Sequence, residues 1–76
     1  MKNYGPVVGF KLGSQPHGAV YLPDWLEVGM IVFYRCGWRE PGGGRIGRIF
    51  RRRVREGTSI KIERILHGRV LAYHYP

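Results

Sequence analysis

The sequence predicts an all-β fold, a small antiparallel barrel of five or six strands of SH3-like or OB-like type, or else a single curled sheet. At most one short helical turn is expected, near residues 24–28. Three observations lead there. Twelve glycines and five prolines among 76 residues interrupt the chain often. No stretch repeats apolar residues at i, i+3, i+4 and i+7 for long enough to make a helix. Short runs rich in β-branched and aromatic residues lie between turn signals instead. The length is that of one domain, residues 1–76, with no internal repeat and no linker.

The first strand is expected over Pro6–Leu12, carried by Val7, Val8 and Phe10. Residues 13–18 then read as a loop and residues 19–22 as a short second strand. In the following segment Asp24 can cap a helical turn, with Glu27 three residues later completing a capping box, and Gly29 ends it. Residues 30–36 form the clearest strand, and the apolar run from Met30 to Tyr34 predicts burial on both faces. Phe10, Phe33 and Phe50 are the expected aromatic core. Residues 37–44 are a turn-rich loop holding Trp38 and three consecutive glycines at its tip.

The carboxyl half reads as a meander of strands 45–54, 59–66 and 69–75. A three-residue turn with Gly57 in a left-handed conformation would put Phe50, Val54, Ile60 and Ile62 on one face. Arg51 and Arg53 would then lie opposite Lys61 and Ser59 on the other. This register leaves Arg52 pointing into the core, so a bulge or an edge is expected there. His67-Gly68 is expected to close a two-residue hairpin that pairs Leu66 with Arg69, Ile62 with Tyr73 and Ile60 with Tyr75.

Thirteen Lys plus Arg against five Asp plus Glu give a net charge of +8 and a pI near 10.4. Charge of that size on a small body repels itself, and a polyanion relieves the repulsion. Ten of the thirteen cations are arginine, whose planar fork grips phosphate bidentately and stacks on bases. Six of those ten fall in residues 45–55. Strand alternation would project Arg51, Arg53 and Arg55 from one face with Lys61 beside them, and Arg48 on the same strand. Trp38, flanked by Arg39 and Arg45, is placed to stack on a base or wedge into a step. The size, charge and strand count resemble those of small basic chromatin and RNA-associated barrel proteins.

Other chemistries lack their residues. Cys36 is the lone cysteine, which excludes an internal disulfide, and it is expected to be a small buried hydrophobe. His17, His67, His74 and Cys36 lie too far apart for a zinc pattern, and no carboxylate pair has acid–base spacing. No catalytic site, cofactor or metal is expected. No signal-peptide pattern and no membrane-length apolar run is visible, which predicts an intracellular protein, cytoplasmic or nucleoid-associated. The expected function is binding of nucleic acid, DNA ahead of RNA, largely without base readout. The alternative is an accessory subunit whose basic face docks on an acidic protein. A homodimer is the further possibility that an open curled sheet would favour.

Overall fold

Side-chain alternation along six short strands sorts the apolar residues to one interior. The strands are β1 (Pro6–Leu12), β2 (Gln15–Tyr21), β3 (Ile31–Arg39), β4 (Arg45–Phe50), β5 (Thr58–Leu66) and β6 (Arg69–His74). In the computed structural model they close into a barrel in the order β1-β2-β4-β3-β5-β6. The structure describes residues 6–39 and 45–76, and for residues 6–8, 38 and 39 it describes the backbone alone. The all-β class and the small barrel follow the sequence expectation, and no helix occurs among the described residues. No helix there is long and apolar enough to cross a membrane.

The barrel is mixed rather than purely antiparallel. β1–β2, β3–β4, β3–β5 and β5–β6 are antiparallel, whereas β2–β4 and β1–β6 are parallel. Closure removes the open face on which a curled sheet would dimerise. Phe10, Leu12, Val20, Val32, Tyr34, Ile49, Ile60, Ile62, Val70 and Ala72 fill the interior. Leu22 and Leu26 are also buried in that core, and they come from the connection between β2 and β3. That connection contains two successive turns in place of the expected helical turn. The Leu26 N–H donates to the Pro23 carbonyl and the Met30 N–H to the Glu27 carbonyl, each at 3.2 Å. Gly29 and Met30 bond to Ile62 of β5, at 2.8 and 2.9 Å. Those bonds anchor the segment to the barrel wall.

The expected hairpin between residues 45–54 and 59–66 does not form. β4 stops at Phe50 and lies between β2 and β3, while β5 lies between β3 and β6. The reason is visible in Arg52, which that hairpin would have driven into the core. A buried unpaired guanidinium is too costly, so the chain leaves the sheet and Arg52 is exposed. Gly57 does not adopt a positive φ. It is needed for closeness instead, since a Cβ there would lie 2.5 Å from Val54 Cγ2.

The second hairpin forms as expected at its tip. Leu66 faces Arg69, and Gly68 takes φ +76°. A bulge at Glu63 then shifts the register by one, pairing Ile62 with Ala72 and Ile60 with His74 rather than with Tyr73 and Tyr75. One residue of slip exchanges faces. Ala72 therefore points inward, and Tyr73 and Tyr75 stay exposed. β2 starts earlier than expected because Gly13, at φ +63°, makes a two-residue turn with Ser14.

Among the described residues Tyr34 is the one buried phenol. Its ring lies 4.8 Å from that of Phe10, tilted by 36°. Gly47 of β4 makes room for it, since a Cβ there would sit 2.2 Å from a Tyr34 ring carbon. Among the described residues the buried Tyr34 hydroxyl has no hydrogen-bond partner. Burial, and next the nearby Cys36 thiol, push its pKa well above the ordinary 10.0. The neutral phenol's contribution is thus complete below about pH 10 and is lost as pH rises beyond, because only the unfolded state then ionises. Tyr34→Phe is expected to stabilise the barrel by about 1 kcal/mol at pH 7, and its advantage to widen above pH 10. Denaturant melts of both proteins from pH 7 to 11 check this.

Candidate nucleic-acid interface

The strand order decides where the arginine-rich segment runs. β4 and β5 flank β3 on opposite sides, so residues 51–57 must cross the outer face of β3. Val32 and Tyr34 point inward, which leaves Phe33 and Arg35 facing out. On β4 the buried residues are Gly47 and Ile49, so Ile46, Arg48 and Phe50 face out. Register then builds two cross-strand rows on this side of the barrel. Tyr21, Arg48 and Arg35 stand abreast, and Phe50 stands beside Phe33. Tyr21, Phe33 and Phe50 are half-buried. Trp25 joins this band from the β2–β3 connection, where it packs partly against the core.

Three guanidinium groups lie over this aromatic band. Arg48 sits 4.8 Å from the Tyr21 ring centre, Arg51 4.7 Å from Trp25, and Arg53 5.8 Å from Phe33. At exposed sites such pairs contribute roughly 0.5–1 kcal/mol each. A guanidinium held against a ring keeps its five N–H donors available for phosphate, which arginine grips bidentately. Arg52 and Arg55 extend the positive field from the same crossing segment, both exposed. Glu56 at its end pairs with Arg35 at 3.4 Å. That exposed pair fastens the loop weakly to β3. Arg35 and Arg48 are directly opposed like charges, which weakens an isolated sheet.

The expected residues divide into three groups. Arg48, Arg51 and Arg53 do share one side of the barrel, but Arg48 stands on β4 while Arg51 and Arg53 lie on the crossing loop, so strand alternation alone does not assemble them. Arg55 is exposed in the turn beside Glu56. Lys61 faces out on β5, opposite Ile31 and Tyr73, so it borders the patch diagonally from Phe33 and does not pair with Arg51 or Arg53. Arg45 is exposed at the far end of β4, its backbone paired with that of Arg39. The side chains of Trp38 and Arg39, and the whole of residues 40–44 with the triple glycine, lie outside the described residues.

Sequence reasoning missed Tyr21, Trp25, Phe33 and Phe50 as members of this face. Phe33 and Phe50, expected in the core, are on its outside. Ile31 is 44% exposed, so the apolar run of β3 is buried on one face and only partly covered on the other. The crossing loop explains the run, because it covers Phe33 from outside. Cys36 is also exposed rather than buried. A bulge between Arg35 and Trp38, with Gly37 at φ +128°, breaks the alternation there.

No protein-family model, curated protein or solved structure matches this chain. Since each arginine contributes only a surface contact, Arg51→Ala and Arg53→Ala are each expected to lower stability by less than about 1 kcal/mol. Thermal melts of the two variants check that these side chains are dispensable to the fold.

Proposed function

We propose that this chain binds nucleic acid through the outer face of β2, β4 and β3, gripping the phosphate backbone without reading base sequence. Duplex DNA is the favoured ligand over RNA, in the manner of a small architectural protein. The observation that carries the reading is the trio Arg48, Arg51 and Arg53 held over Tyr21, Trp25 and Phe33 on one side of the barrel. The net charge of +8 supplies long-range attraction toward a polyanion. The protein is a binding module in this reading, with no reaction assigned, acting inside the cell.

A second reading draws on the apolar part of the same face. Phe33, Phe50 and Ile31 beside arginines match the composition of a protein–protein interface. An acidic protein partner would give a complex of fixed stoichiometry, whereas a phosphate backbone gives length-dependent binding.

Titration of random-sequence duplexes across a salt series tests the proposal. Affinity is expected to fall steeply with salt, and the slope of log K against log salt to flatten by about 2–3 units in the variant carrying Arg48→Ala, Arg51→Ala and Arg53→Ala. All sequences should weaken alike. Binding absent at low salt, or a slope unchanged in the variant, would overturn it.

A further inference from the structure

A second cationic surface lies on the other side of the barrel. β6 is three strands away from β4 in either direction around the ring. On its outer face Leu71 is the centre of a small cross. Lys11 of β1 is its partner on one side and Arg64 of β5 on the other. Arg69 and Tyr73 stand two residues before and after it on the same strand. Together these side chains line a groove of about 400 Å³. Leu71 is half-buried at the base, and Tyr73 is 45% exposed. Gly9 lines one wall and takes φ +85°, a conformation that favours glycine. Among the described residues no carboxylate lies within ion-pair distance of Lys11, Arg64 or Arg69.

We infer that this groove is a second binding site, for an unpaired nucleotide of a single strand. The base would lie against Tyr73 and Leu71, and the flanking phosphates against Lys11, Arg64 and Arg69. The inference rests on the reading of the chain as a nucleic-acid binder. Three points select this occupant. Cations ringing a flat apolar floor suit a ligand that carries an anion beside a planar body. An exposed aromatic side chain on the outer face of a sheet, with basic neighbours, is the arrangement that stacks splayed bases. A duplex keeps its bases stacked inside and could place none in the groove. The two faces would therefore divide the work, duplex backbone on one and unpaired strand on the other.

Amide chemical shifts of the full chain, titrated with pentathymidylate and separately with a short duplex, test this. Pentathymidylate is expected to shift the amides of Lys11, Arg69, Leu71 and Tyr73. The duplex is expected to shift those of Tyr21, Trp25 and Arg53. Tyr73→Ala should weaken pentathymidylate at least about five-fold and leave the duplex unaffected, with an unchanged melting temperature showing that the fold is intact. Pentathymidylate shifts confined to the Tyr21–Trp25–Arg53 side would overturn the second site and leave the first standing. Silence at both faces with both ligands would overturn both. Shifts in the groove from oligoglutamate, with thymidylate silent, would overturn the nucleotide as its occupant.

Discussion

The position of β3 between β4 and β5 is the constraint on which the proposed binding surface depends. Strands that follow one another in sequence are most simply joined as hairpins, yet here the chain between β4 and β5 must step over an intervening strand. The step lays residues 51–57 across the outside of β3, in the segment with the densest arginines. The β2–β3 connection likewise steps past β4 and brings Trp25 to the same side. Two crossings thus place cations and aromatic rings on one face. Neither could do so if the carboxyl half were a simple meander.

This arrangement also resolves a conflict between charge and burial. Continuous pairing of residues 45–54 with β5 would bury Arg52, whose desolvation exceeds anything a few more ladder bonds return. Ending β4 at Phe50 releases all three consecutive arginines to solvent. The vacant outer surface of β3 is apolar at Phe33, and the departing loop covers it. Arg53 then covers part of the Phe33 ring, which would otherwise be open. Arginine is suited to that cover, because its stem and guanidinium plane pack on a ring while the N–H edge stays in water.

Much of the fold is legible in the sequence, because strand positions follow local chemistry. Pro6–Leu12 is a strand with the expected bounds, and β5 and β6 each fall within one residue of theirs. His67-Gly68 makes its turn for the reason glycine always serves there, a positive φ. Strand order is not legible in the same way. Gly57 looks like a hairpin glycine, and only its tight approach to Val54 explains it. The bulge at Glu63 carries no sequence mark strong enough to reset the phase, so Tyr73 is paired one residue out of register, while Cys36, expected inside on residue type, is exposed beside the bulge at Gly37. The arginines of the site are found by composition, but their aromatic partners Tyr21, Trp25 and Phe33 lie far apart in sequence and need the topology. Lys11, Arg64 and Arg69 escape notice for the same reason, being scattered until β1, β5 and β6 adjoin.

The closed barrel sets the two proposed binding faces on opposite sides, three strands apart around the ring. The most direct test reads the guanidinium groups themselves. Side-chain Nε–Hε resonances of the arginines, followed as a non-specific duplex is added at low salt, report contact with phosphate residue by residue. Large shifts at Arg48, Arg51 and Arg53, with Arg64 and Arg69 unmoved, are the expected result. Unmoved resonances at Arg48, Arg51 and Arg53 under conditions where the duplex is bound would contradict the proposed interface.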